Sequence, residues 1–171
     1  MAGRYLIALG SNVRHVRHGR PRDVVGAAID ALAANGMRIE GASPIMISDP
    51  LGPSLRRYAN AVLILGTDLD PPALLTRLKV IERDFGRRRG GRRWTSRVLD
   101  LDIVLWDGGA WSAPGLTIPH PAYRHRGFVL RPAAQLVPGW RDPVSGLTVR
   151  QLLSRLHKPR ALTTARRRQG W

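Results

Sequence analysis

The run Val98-Leu99-Asp100-Leu101-Asp102-Ile103-Val104-Leu105 constrains the chain more than any other stretch. Branched apolar residues at nearly every position suit a pleated strand, whose successive side chains leave on opposite faces. Leu99, Leu101, Ile103 and Leu105 are then expected to share one face and enter a core. Val98, Asp100, Asp102 and Val104 are expected on the other. The two carboxylates point the same way, about 7 Å apart along the backbone. Two acids so placed on a half-buried face repel one another and need a compensating cation, either arginine or a hard divalent metal. Closely spaced oxygen ligands suit Mg²⁺ carried in with phosphates, and paired ions recur in displacements at phosphorus.

Upstream lies a basic segment with Arg87, Arg88, Arg89, Arg92, Arg93 and Arg97, interleaved with Gly86, Gly90 and Gly91. Guanidinium groups take phosphate oxygens in a bidentate, charge-assisted way, and glycine lets a loop rearrange around a ligand. A basic loop feeding a strand with two acids describes a nucleoside-triphosphate site. The same residues also fit a plainer arrangement, in which Asp100 and Asp102 pair with Arg97 and Arg93 and the arginine run is a solvated loop. Spacing alone leaves both open.

Composition enters where it limits these readings. The 171 residues fit one domain with a sizeable core. No apolar run is as long as a membrane span, and the N-terminus enters a strand almost at once, so no signal peptide is expected. The absence of cysteine excludes disulfides and thiolate metal sites and fits a cytoplasmic protein. The net charge of +16, almost all of it arginine, implies attraction to anions.

Elsewhere, Arg4 to Leu9 reads as a buried strand closed by Gly10-Ser11-Asn12. Val13 to Arg22, with four arginines and two histidines, reads as a loop. Val25, Ala28, Ile29 and Leu32 share a helical face, and Asn35-Gly36 ends that helix. Met37 to Ile47 is a broken strand. Tyr58 to Leu65 is an apolar one, with Tyr58 and Asn60 on one face at its entrance. Those two suit a heterocyclic ligand, or local capping. Asp70 and Pro71 open a second helix on which Leu74, Leu78, Ile81 and Phe85 keep the period, with Glu82 beside that face. His120 stands between two prolines, with Arg126-Gly127-Phe128 close behind. Residues 128–136 and 147–156 read as helices. Residues 1–157 are expected to form the domain and 158–171 a basic, flexible tail. The strand, helix, strand, strand, helix, strand order predicts an α+β fold: a ferredoxin-like βαββαβ core, an antiparallel sheet with helices packed on it, and a C-terminal extension.

Taken together, Gly10-Ser11-Asn12, Asp49-Pro50-Leu51-Gly52-Pro53, Tyr58-Ala59-Asn60-Ala61, Glu82-Arg83-Asp84-Phe85-Gly86-Arg87, Arg93-Trp94 to Asp102, and Pro119-His120 to Phe128 resemble, in that order, the 6-hydroxymethyl-7,8-dihydropterin pyrophosphokinases of folate biosynthesis. The resemblance covers about residues 4 to 156. It implies transfer of the β,γ-diphosphate of ATP to a pterin hydroxymethyl group, with release of AMP. It further implies that Asp100 and Asp102 hold two Mg²⁺ ions and act in catalysis with Arg87 and Arg97. Glu82, Arg89, Arg93, Arg97, Ile103, Thr117, His120 and Arg126 would bind ATP. Ser48, Leu51, Tyr58, Asn60, Trp94 and Phe128 would bind the pterin.

The chain departs from the family pattern at Ser48-Asp49-Pro50, where a Thr-x-Pro is common, and at Pro121, where some members carry an aromatic residue. Two other functions compete: a paralogue acting on another pterin, and a basic nucleic-acid-binding module on the same fold. The second is disfavoured because the central strands lack base-stacking aromatics and because Asp100 and Asp102 would repel a phosphate backbone. The expected partners are therefore ATP and a hydroxymethyl-dihydropterin, with no membrane and no nucleic acid, for a monomeric protein.

Overall fold

The computed structural model describes residues 3–49, 56–86 and 98–157. The first strand, β1 (Gly3–Ser11), leads into helix α1 (Pro21–Ala34) and then β2 (Arg38–Ala42), β3 (Met46–Ser48) and the long β4 (Tyr58–Thr67). Helix α2 (Pro71–Asp84) follows, then β5 (Asp100–Trp106), a β6 (Trp111–Ala113) and β7 (Leu116–Ile118) hairpin, a short 3₁₀ turn (Tyr123–His125), α3 (Gly127–Leu136) and α4 (Val149–His157). The predicted ends are physical. The Asp70 carboxylate accepts the Ala73 N–H at 2.9 Å and caps α2 ahead of Pro71. Gly36, with φ of +80°, turns the chain out of α1.

All pairings in the main sheet are antiparallel, in the order β2-β4-β1-β5, with β3 also on β4. The α+β class and antiparallel sheet expected from the sequence are thus observed. Two apolar cores lie on its two faces. Leu74, Leu78 and Ile81 of α2 and Val25, Ala28 and Leu32 of α1 pack on Ile7, Leu63, Leu101 and Ile103. Helices α3 and α4 cover the opposite face, where Val129, Leu130 and Leu152 pack on Leu6, Val62 and Val104.

Strand β5 departs from simple alternation at two points. Leu6 stands opposite Leu105, but Ile7 stands opposite Ile103, so Val104 is an extra residue in a β-bulge. Leu105 is thereby turned into the second core beside Val104, rather than joining Leu101 and Ile103. Val98, expected beside the acids, precedes the strand and packs against the first core instead. Between these irregularities the alternation holds, with Leu99, Leu101 and Ile103 inward and Asp100 and Asp102 on the reverse face. Among the described residues no helix is long and apolar enough to cross a membrane.

Candidate active site

The α3/α4 face is only partly covered. Beyond Val62 and Val104 the sheet surface opens into a cleft of about 670 Å³. Its floor is built by register. Gly10 on β1 lies between Asn60 on β4 and Asp100 on β5, and Ala8 lies one pleat further along, between Val62 and Asp102. Residues directly opposite in a ladder share a face, so glycine and alanine at the centre leave room above the sheet.

Asp100 and Asp102 form one wall. Asp102 keeps 30% of its side-chain exposure, and its Oδ2 has His120 Nε2 at 3.9 Å and Arg126 Nη1 at 3.8 Å. Those separations are too long for hydrogen bonds. Burial first, and the Asp100 charge second, push the Asp102 carboxyl above the usual carboxylate range, while His120, Lys79 and Arg126 oppose them. Burial likewise pulls His120 below the ordinary imidazole range, against the pull of Asp102. The Ala122 N–H donates to His120 Nδ1 at 3.1 Å, so in the neutral ring the proton sits on Nε2, on the side of Asp102. Among the described residues, Asp102 therefore has no hydrogen-bonded cation.

The opposite side of the cleft carries Ser48, Tyr58 and Asn60, with Phe128 from α3. Asn60 is 5% exposed, and its Nδ2 donates to Ser48 Oγ at 2.7 Å, which fixes the amide plane. Ser48 pairs with Tyr58 through β3 and β4. The Arg126 guanidinium lies 5.8 Å from the Phe128 ring centroid. The cleft thus has a charged end and an amide-and-aromatic end on one sheet surface.

Three other expected site residues lie apart from this cavity's lining. Glu82 is fully buried at the edge of β5, where its carboxylate accepts the Leu101 N–H at 2.8 Å and the Lys79 ammonium at 2.9 Å. A backbone N–H at a sheet edge is thereby satisfied by a side chain. The Ile103 side chain lies in the core of the α1/α2 face. Thr117 is exposed on β7 and lines a second pocket with Trp111 and Arg124. Arg87, Arg89, Arg93, Arg97, Trp94 and Leu51 fall outside the described residues, as does the basic tail.

Sequence reasoning missed Lys79, which lines the cleft and is held by Glu82. Its i,i+3 spacing from Glu82 was a usable signal for the pair. Nothing in the spacing said that this edge of α2 meets β5.

The fold and cleft define an α+β protein whose sheet surface carries a cleft lined by carboxylates and cationic side chains at one end and by an amide and aromatic rings at the other. Its sequence matches the 7,8-dihydro-6-hydroxymethylpterin-pyrophosphokinase (HPPK) family over residues 6–138, and the chain belongs to that family. A 2-amino-4-hydroxy-6-hydroxymethyldihydropteridine pyrophosphokinase of Pseudomonas aeruginosa is 42% identical over 145 residues, covering 84% of this chain and 86% of the relative. One of the same name from Synechocystis sp. is 36% identical over 151 residues, covering 88% and 75%. Among solved structures, the Plasmodium falciparum HPPK-DHPS wild type superposes with a TM-score of 0.71 at 13% identity, a likeness of fold. That match covers 91% of this chain but only 41% of the longer solved chain.

Proposed function

We propose that this chain transfers the diphosphate of ATP to the hydroxymethyl group of 6-hydroxymethyl-7,8-dihydropterin in folate biosynthesis, releasing AMP. The observation that carries the reading is the placing of Asp100 and Asp102 on one cleft wall, with His120, Arg126 and Lys79 around them and the Asn60, Tyr58 and Phe128 pocket across Gly10. Family membership agrees with it.

In this reaction the hydroxymethyl oxygen forms a bond to the β-phosphorus, the bond from that phosphorus to the α,β-bridging oxygen breaks, and the hydroxyl proton is lost. The electrons of the broken bond leave with AMP. Catalysis of this kind is positioning plus neutralisation of charge. Asp100 and Asp102 fit Mg²⁺: the donors are carboxylate oxygens only, they share a face, and among the described residues Asp102 has no hydrogen-bonded cation. No group of three or more acidic, histidine or cysteine side chains among the described residues forms a metal cage. That suits an ion completed by substrate phosphates rather than by protein. Bound there, Mg²⁺ would neutralise the triphosphate and polarise its phosphorus centres.

The chain's own residues do the rest. His120, through its Nε2–H, and Arg126 reach the phosphates from one side, with Lys79 at the β5 edge. Arg87, Arg89, Arg93 and Arg97 are assigned to the phosphates as well, and Glu82, Ile103 and Thr117 to the remainder of the nucleotide. Asn60 reads the edge of the pterin while Tyr58, Phe128 and Trp94 pack on its ring and Ser48 and Leu51 close the pocket. With the ring fixed, the hydroxymethyl group is held in line with the β-phosphorus.

The test is AMP formation from ATP, Mg²⁺ and 6-hydroxymethyl-7,8-dihydropterin, with no-pterin and no-metal controls. AMP equal to pterin diphosphate, formed only with all three, is expected. Bound nucleotide without AMP would point to a different pterin acceptor. No nucleotide binding would overturn the reading.

A further inference from the structure

Asp142 is a second buried acid, far from Asp102 in sequence and absent from the cleft lining. It lies in the connection between α3 and α4 and is completely inaccessible to solvent. Its carboxylate accepts from the Tyr123 hydroxyl at 2.7 Å, from Arg124 Nε, from Arg124 Nη2 at 2.8 Å, and from the N–H groups of Val144 at 2.8 Å and Ser145 at 3.1 Å. The Arg124 guanidinium also lies over the Tyr123 ring, 5.3 Å from its centroid. A charge this thoroughly satisfied fixes everything bonded to it.

What it fixes is the turn between His120 and Arg126. The backbone of Tyr123 touches both: its N–H donates to the His120 carbonyl at 3.2 Å, and its carbonyl accepts the Arg126 N–H at 3.0 Å. The Ala122 N–H, in the same turn, donates to His120 Nδ1. On its other side, the His120 N–H donates to the Val104 carbonyl of β5 at 3.0 Å. Among the described residues, Asp142 is the only carboxylate that hydrogen-bonds this turn, Asp102 standing at 3.8 and 3.9 Å from its two ends.

We propose that Asp142, through Tyr123 and Arg124, is a positioning residue for pyrophosphoryl transfer: it sets the turn that holds His120 in its Nε2–H tautomer and places His120 and Arg126 together beside Asp102. This rests on the assignment of His120 and Arg126 to ATP. Asp142 touches no reacting group. Its effect reaches the nucleotide through two donors at once, the His120 imidazole and the Arg126 guanidinium, so its loss weakens ATP binding more than it slows turnover.

The experiment is Asp142→Asn, with folding checked by circular dichroism and melting, and with two readouts. The KM for MgATP is expected to rise about tenfold while kcat falls less than threefold, corresponding to the loss of one well-placed interaction. Imidazole ¹⁵N spectra at pH 8, where histidines are neutral, are expected to show His120 moving from the Nε2–H tautomer to a mixture. The His120 signal is identified by its absence in His120→Gln. A folded Asp142→Asn protein with wild-type KM and an unchanged tautomer overturns the proposal. Should Asp142→Asn not fold, Tyr123→Phe removes one bond to the same carboxylate. It is expected to raise the KM about threefold and shift the tautomer partially, and no change in either overturns the proposal. His120→Gln separates the two levels. If it leaves the KM for MgATP unchanged while the tautomer still moves in Asp142→Asn, the brace stands and the nucleotide assignment of His120 fails.

Discussion

Asp102 and Asp142 are both aspartates shielded in the C-terminal half, and their surroundings are opposite. Asp142 is fully buried, yet accepts five hydrogen bonds, two from one guanidinium. Burial alone would raise its carboxyl, but the bonds from Arg124, Tyr123, Val144 and Ser145 hold it far below the usual range. Asp102 is less buried, yet its carboxyl is pushed up, by burial first and the Asp100 charge second, because Arg126 and His120, at 3.8 and 3.9 Å, are too far to hydrogen-bond it. Burial raises both carboxyls, and what separates the two is whether hydrogen bonds answer it; under the proposed function that difference keeps Asp102 available for a ligand. The bonds at Asp142 are complete in the folded chain, whereas Asp102 has no hydrogen-bonded cation among the described residues, and under the proposed function a metal ion supplies one.

The contrast can be broken in stages. The largest effect is expected on activity at the Asp100/Asp102 wall: Asp100→Ala should reduce AMP formation by about three orders of magnitude or more, with the melting temperature changed little. A loss of stability of several kcal/mol there would mean that Asp100 belongs with Asp142. Next, Asp142→Asn should cost about 3 kcal/mol in urea unfolding, because it removes the buried charge that Arg124, Tyr123 and two backbone N–H groups are arranged around. A cost near zero would remove the distinction from the other side. The pH dependence should then differ in sign. The Asp142 pKa is depressed on folding, so its contribution is complete above the unfolded value of about 3.9 and fades as pH falls below it. Asp102 is raised on folding, so protonating it as pH falls through the raised value favours the folded state. Urea midpoints from pH 6 to pH 3 should therefore fall less steeply in Asp142→Asn than in wild type, and more steeply in Asp102→Asn. The smallest effect is the expected gain in Asp102→Asn at pH 7, about 1 kcal/mol, or roughly 2–4 °C for a chain of this size.

The strand that carries Asp100 and Asp102 was legible because alternation is a local property. Two residues apart on a strand means one face, wherever the strand lies. The Asp70 cap and the Gly36 turn were legible for the same reason. Leu105 was misplaced because the bulge at Val104 depends on how Leu6 and Ile7 meet β5, and no window of β5 contains that register. The covering of the second face by α3 and α4, and the pairing of Tyr123 and Arg124 with Asp142, are contacts between segments about 18 residues apart or more. Of the site, the resemblance carried the residue types. The gathering of Ser48, Tyr58, Asn60, Asp100, Asp102, His120, Arg126 and Phe128 around one cleft is what the fold adds.

The most direct measurement is AMP formation by Asp102→Asn at saturating ATP, Mg²⁺ and 6-hydroxymethyl-7,8-dihydropterin, made on protein whose melting temperature is determined alongside. The substitution keeps the shape of the side chain and removes its charge. An availability-for-ligand role predicts a protein at least as stable as wild type whose turnover has fallen about a thousandfold. A variant that turns over within a few-fold of wild type, whatever its stability, would show that the Asp102 charge is not what the cleft uses to handle phosphate.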